Sequence, residues 1–195
     1  MAEIDRVIFD LGKVLIGGDG RREYLVARGI TKDADEYWNL FKTGKCNEAV
    51  FWRDTLKGTH LEGSEEKVAR DVRSMHEYAP PAEGYDIIWH LQHYRPAILS
   101  NHVTEWAWPA IKRLHLHKIC RPIIISSEVG MAKPDPAIYQ HCLREIGRAD
   151  APGLCVFIDD LERNVAAAKE AGMHAIQFSD GEQLSKDLKS LGLEW

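Results

Sequence analysis

Five short apolar runs recur along the 195-residue chain: RVIFD (Arg6 to Asp10), PAILS (Pro96 to Ser100), PIIIS (Pro122 to Ser126), LCVFID (Leu154 to Asp159) and HAIQF (His174 to Phe178). Each has the length of a strand, and most are rich in Ile, Val or Phe. Their unbroken apolarity predicts strands buried on both faces, as in a parallel sheet. Between them the apolar positions return with a helical period. DPAIYQHCLREIG (Asp135 to Gly147) has an acidic start and a glycine stop, and LERNVAAAKEAG (Leu161 to Gly172) is Ala-rich and also ends in glycine. The alternation predicts βαβ units and a doubly wound α/β sheet.

From about Gly20 to Glu83 the alternation stops. No good strand is present there, only amphipathic pieces: REYLVARG, DADEYWNLFKTG, NEAVFWRDTLKG and SEEKVARDVRSMHEY. Glu65 and Glu66 suit the first turn of the last one, where helix dipoles favour acids. Hinge-like punctuation bounds the block, GGDG (Gly17 to Gly20) before it and APPAEG (Ala79 to Gly84) after it. The expected organisation is an α/β core from residues 1–16 and 84–195, with a small helical insertion at 17–83.

Composition narrows the function classes. The chain is 45% hydrophobic and 28% charged, enough for one sizeable core. Net charge is -5 with no long basic run, so no nucleic-acid partner is expected. No apolar run approaches the ~20 residues of a membrane span, so no membrane partner is expected either. Glu3 and Asp5 stand where a secretion signal would be basic. Cys46, Cys120, Cys142 and Cys155 are scattered and read as reduced thiols. A cytoplasmic location is the expectation.

Ligands of open α/β sheets bind beyond the carboxyl ends of the strands, so polar residues there carry the candidate chemistry. Asp10 ends the first strand, Ser100 and Asn101 the second, and Asp159 and Asp160 the fourth. Lys133 lies in the loop after the third. Singly, each has a plain explanation: Asp10 as a helix cap, Ser100 as a turn residue, Lys133 as a solvated charge. The adjacent acids Asp159 and Asp160 repel each other unless a cation or donors offset them. Together the set suits phosphoryl transfer. A carboxylate attacks phosphorus, carboxylates bind Mg²⁺, and a lysine and a hydroxyl hold the phosphate oxygens.

In this order the motifs resemble the haloacid dehalogenase superfamily. VIFDLGKV resembles its first motif, ILSNH its second, GMAKPDPAIY its third and VFIDDLERN its fourth. The resemblance covers nearly the whole chain. It implies a Rossmann-like core with a helical cap inserted after the first motif, Mg²⁺ dependence, and phosphatase activity on a small phosphorylated metabolite, such as a sugar phosphate. It implies Asp10 as nucleophile and metal ligand, the Gly12 carbonyl and Asp160 as further ligands, and Asp159 beside the metal. Lys133 would be catalytic, Ser100, Asn101 and His102 would meet the substrate, and Asn164 would support the fourth loop.

Gly12 departs from the pattern, because most phosphatases of the superfamily place a general-acid Asp two residues after the nucleophile. The wording FDLG resembles glucose-1-phosphate-type sugar phosphatases and the N-terminal phosphatase domain of epoxide hydrolases. Loss of a general acid costs ~10²–10⁴-fold in rate. His102 and Lys13 are the nearby candidates to replace it, and each has a plain alternative, as a loop-ordering ring and an outward charge. From the insertion, Tyr24, Trp38, Lys42, Lys45 and Trp52 either pack it or meet a substrate. Trp106 and Trp108 are expected to pack their own helix. Two other readings stay open: a haloacid dehalogenase, which needs no acid at Gly12 but has no use for clustered acids, and a phospho-ligand-binding protein without turnover.

Overall fold

The computed structural model describes residues 3–30 and 35–195. The apolar runs form β1 (Arg6–Phe9), β2 (Ala97–Ser100), β3 (Ile123–Ile125), β4 (Cys155–Asp159) and β5 (His174–Gln177). All neighbours pair in parallel, in the order β3-β2-β1-β4-β5. The strands are slightly shorter than the runs. Pro96 and Pro122 have no N–H to give to a ladder and stand just outside β2 and β3.

Side chains alternate across the sheet, and both faces are covered. Val7, Phe9, Ile98, Ile125, Val156 and Ile158 point to one apolar layer, against α5 (Gly84–His90), α6 (Thr104–Arg113) and α10 (Gly181–Ser190). Ile8, Ala97, Leu99, Ile124 and Phe157 point to the other, against α8 (Pro136–Glu145) and α9 (Glu162–Glu170). A four-residue helix, α7 (Ser126–Val129), follows β3 directly. The fold is therefore a doubly wound α/β sheet. One expectation is corrected: β5 is an edge strand with His174 and Gln177 exposed, so it is not buried on both faces.

Helix ends follow their sequence signals. The Asp135 side chain accepts the Ala137 N–H at the start of α8, and Gly147 closes that helix at φ +68. Gly172 does the same after α9 at φ +89.

The chain leaves β1 towards β2 and β3, then returns to β4 and β5 on the other side. The order reverses between β1 and β4, which opens a crevice at their carboxyl ends. Register aligns the two tips. Phe9 pairs with Ile158, so the next residues along are Asp10 and Asp159, and the Asp10 N–H donates to the Ile158 carbonyl at 2.8 Å.

Among the described residues, the interval before α5 holds four helices: α1 (Gly20–Val26), α2 (Asp35–Lys42), α3 (Glu48–Leu56) and α4 (Glu65–Glu77). Asp33 and Ala34, the expected start of the second piece, lie outside the described residues. The four helices share an apolar cluster around Tyr24, Phe41, Phe51, Trp52, Leu56 and Val72, which Val103 and Trp106 of the core side complete. The Trp106 indole N–H donates to Glu48 Oε1 at 2.8 Å, and Glu48 is also paired with Arg73. Ser126 Oγ donates to the Lys42 carbonyl at 2.6 Å. Beside it Gly44 has φ +67, and a Cβ there would stand 2.6 Å from the Ser127 carbonyl oxygen. Where the chain enters and leaves this lobe, its two strands run side by side. Gly17 N–H donates to the Pro80 carbonyl at 2.7 Å, and Ala82 and Gly84 donate to Leu15 and Val14 at 3.1 Å. Among the described residues no helix is long and apolar enough to cross a membrane.

Candidate active site

Asp10 and Asp159 end neighbouring strands, and a lysine is set between them. Lys133 Nζ lies 2.8 Å from Asp10 Oδ1 and 2.6 Å from Asp159 Oδ2. Asp10 is 8% exposed, Lys133 2% and Asp159 0%. Lys133, which alone reads as a solvated charge, is thus among the most buried polar residues of the chain. Its position is fixed from behind. The Asn101 amide donates to the Lys133 carbonyl at 2.7 Å and accepts the Lys133 N–H at 2.8 Å. Both Asp159 oxygens are engaged as well: Asn164 Nδ2 reaches them at 2.9 and 3.0 Å, and the Leu161 N–H donates to Oδ1 at 2.9 Å. Asn164 is steadied by the Tyr139 hydroxyl, which donates to its carbonyl at 2.9 Å.

The electrostatics follow from burial. Burial pushes the Asp10 carboxyl up to about 6; Lys133 opposes the rise and the Asp159 charge adds to it. For Lys133, burial acts to lower the pKa, but the Asp10 and Asp159 charges outweigh it and the ammonium ends above its ordinary value. Burial, then Asp159, raise Asp160, while Lys13 acts the other way from 3.5 Å. Three acids thus face two lysines, Lys13 and Lys133. Asp10, Asp159 and Asp160 each offer an oxygen, all within 4.8 Å of one another. An all-oxygen, anionic donor set short of positive charge fits a hard divalent cation such as Mg²⁺.

These tips open into a cleft of about 980 Å³ whose floor carries Asp10, Gly12, Ser100, Asn101, Lys133 and Asp160. His102 and Asn164 line it as well, so every expected site residue but Asp159 borders the cleft, and Asp159 lies beneath it. Asn101, expected to meet substrate, spends its amide on the Lys133 peptide. His102 Nδ1 lies 2.9 Å from the Val103 N and 3.2 Å from the Val103 carbonyl oxygen. Burial lowers His102 to about 4, so the ring is neutral near pH 7. A Cβ at Gly12 would meet nothing within 4 Å, so no packing demand excludes a side chain there.

The roof comes from the four-helix lobe. Trp38 and Lys42 of α2 line the cleft, whereas Tyr24 is buried with its hydroxyl on Asp71 at 2.9 Å, Trp52 is buried and Lys45 is exposed. Trp106 packs far more than its own helix: its ring stacks on His76 at 5.0 Å and on Trp38 at 6.0 Å. Trp108 donates to Glu128 at 3.1 Å. Arg21, Asn39 and His76 line the cleft without having been singled out in the sequence. For Arg21 no local signal existed, because RREY reads only as the start of an amphipathic helix.

The fold and the carboxylate–lysine–carboxylate set at its switch point define a doubly wound α/β protein with a candidate catalytic site, and the comparisons narrow its class. The haloacid dehalogenase-like hydrolase model matches residues 4–172, and the chain belongs to that family. Phosphatase MT3486 of Mycobacterium tuberculosis is 27% identical across 97% of this chain and 95% of its own. Flavin mononucleotide hydrolase 1 of Arabidopsis thaliana is 41% identical over 64 residues, 33% of this chain, and the chain spans only 25% of that protein. A HAD family enzyme of Bacteroides thetaiotaomicron, solved with magnesium and inorganic phosphate, superposes with a TM-score of 0.69 at 24% identity, over 91% of this chain and 96% of its own. That likeness establishes the fold.

Proposed function

We propose that the protein is a Mg²⁺-dependent phosphomonoesterase for a small phosphorylated metabolite, with Asp10 as nucleophile and residues 17–83 as a cap over the site. The observation that carries this reading is the cluster of Asp10, Asp159 and Asp160 around Lys133 at the switch point. A haloacid hydrolase has no use for three acids so close together. The names of the Mycobacterium and Arabidopsis relatives point the same way, and a sugar phosphate remains the favoured substrate class.

Asp10, Asp160 and the Gly12 carbonyl would hold the cation, with Asp159 beside them. When bound, the ion cancels the repulsion between an anionic carboxylate and an anionic ester. Asp10 then attacks phosphorus, the bond from phosphorus to the leaving oxygen breaks, and an aspartyl-phosphate is left for water to hydrolyse. Lys133 aims Asp10 and offers its charge to the phosphate, and the buried Ser100 hydroxyl faces the same oxygens. Asn101 and Asp159 act as positioning residues through Lys133. With glycine at position 12 and a neutral His102, the floor supplies no strong acid to the leaving oxygen, which favours esters whose leaving group departs readily. Four free cysteines fit a reducing compartment such as the cytoplasm.

The test is release of phosphate from an aryl phosphate with and without Mg²⁺. Release should require the metal and fall by more than about 10³-fold in Asp10→Asn. Metal-independent release, or full activity in that variant, defeats the reading.

A further inference from the structure

We propose that the amino edge of the sheet holds an anion site, in which Arg6 and Arg95 grip one dianionic phosphate group, free or carried on a metabolite. The site stands apart from the cleft. Arg6 opens β1 and Asp10 follows its other end, about 13 Å of extended chain away. The proposal does not rest on the phosphatase reading.

Register brings the two arginines together. Ile8 pairs with Ala97 and Phe9 with Ile98, so counting back two residues along each chain sets Arg6 and Arg95 at one level. On its other side Arg6 pairs with Cys155 of β4. Arg6 shares a face of the sheet with Ile8, which packs toward α8 and α9, and Arg148 lies just beyond the end of α8. The Arg95 backbone is fixed by a sharp turn into β2. It sits at φ +47, a region that non-glycine residues seldom adopt, and its N–H donates to the Gln92 carbonyl at 3.0 Å.

Asp5 feels all three arginines, Arg148 first, then Arg6 and Arg95. It is already spent on the first. Arg148 closes its fork on Asp5, with Nε 3.0 Å from Oδ1 and a terminal nitrogen on Oδ2. The remaining Arg148 nitrogen donates to the Gly147 carbonyl at 2.7 Å. Arg6 and Arg95, by contrast, enter no ion pair among the described residues. Arg6 Nε is buried with no hydrogen-bond partner. Burial lowers the Arg6 guanidinium, and the charges of Arg95 and then Arg148 lower it further. The chain as a whole carries a net charge of -5, so this edge is a local excess of the opposite sign.

The chemistry of the ligand follows from the count of charges. Asp5 and Arg148 cancel, which leaves two positive charges for a dianion to balance. A lone carboxylate would balance one. Guanidinium edges present paired N–H groups that match phosphate oxygens. Arg95 is exposed and Arg6 half-buried, so an anion arriving from solvent meets Arg95 and settles against Arg6.

The test titrates inorganic phosphate into the wild-type protein with EDTA at constant ionic strength, following amide and arginine Nε–H shifts by NMR. Saturable shifts should appear at residues 5–7 and 94–96, with a dissociation constant of about 1 mM or below. Arg95→Gln should weaken binding at least about 10-fold, the effect of losing one charge-assisted contact, and Arg95→Lys should keep part of it. Arg6→Gln should act like Arg95→Gln. If Arg6→Gln fails to fold, the exposed Arg95 position decides. Nitrate, a monoanion, should give no saturable shift. Glycerol 3-phosphate separates the sources. Equal binding at the same residues assigns the site to the phosphate of a metabolite, and binding of inorganic phosphate alone assigns it to the free ion. Shifts confined to residues 10–13 and 100–102 overturn the proposal, as does equal binding of nitrate or unchanged affinity in Arg95→Gln. A titration that is still linear at about 10 mM also overturns it. No turnover is read, so the result is independent of whether the cleft hydrolyses esters.

Discussion

Lys133 shows how far one side chain determines this site. Its ammonium lies within 2.8 Å of two buried carboxylates, and removing it strands two like charges away from water. Lys133→Met should lower stability by about 3–5 kcal/mol, the usual cost of breaking a buried ion pair. The loss should be larger at pH 8 than at pH 5, because protonation of one carboxyl relieves the repulsion. Urea titration at the two values checks both points. The burial of this lysine was not legible in the sequence. In GMAKPDP it follows no apolar period, and only the crossing of three strand tips encloses it. Asp10 and Asp159 were legible, because parallel strands of matching length place their last residues together. Arg21 was not, since its place depends on how the lobe docks rather than on any local pattern.

At the level of elements, α3 and α6 are joined through Glu48. A glutamate in an amphipathic segment reads as exposed, yet this one is buried and accepts the indole N–H of Trp106 at 2.8 Å. Glu48→Ala should cost about 2–4 kcal/mol, since it leaves a buried indole donor without an acceptor and frees Arg73 from its partner. Combined with Trp106→Phe, the cost should be less than the sum of the two, as expected for residues in direct contact. Chemical denaturation of the three variants measures the coupling. The helices themselves were readable from periodicity and their glycine stops. Their mutual contacts were not, because hydrophobic spacing gives the face of a helix but not the partner it meets. The edge position of β5 escaped for a related reason: a short run such as HAIQF does not reveal on which side its neighbour ends.

Across the whole molecule, the seam between lobe and core is closed by neutral histidines. Burial lowers His76 to about 2 and His102 to about 4, below the ordinary value near 6.5. Their folded pKa values are depressed, so the unfolded chain takes up these protons first. Stability is full above about pH 6.5 and falls as pH drops toward 4 for His102 and toward 2 for His76. By pH 5 each histidine should remove about 2 kcal/mol. His76→Phe preserves a ring against Trp106 and should cut this acid-induced loss roughly in half. Urea midpoints at pH 7.5 and 5.0 test it, and an unchanged pH slope in the variant would contradict the assignment.

The paired neck between Val14–Gly17 and Pro80–Gly84 has a consequence for the evolution of such a protein. Because the lobe begins and ends on adjacent, hydrogen-bonded strands, it hangs from the core as a hairpin does from its turn. An unrelated helical module with closely spaced termini could be spliced onto the same two strands without disturbing the ladder beneath. New specificity could then be reached by exchanging a whole roof, while the floor of the cleft is inherited intact.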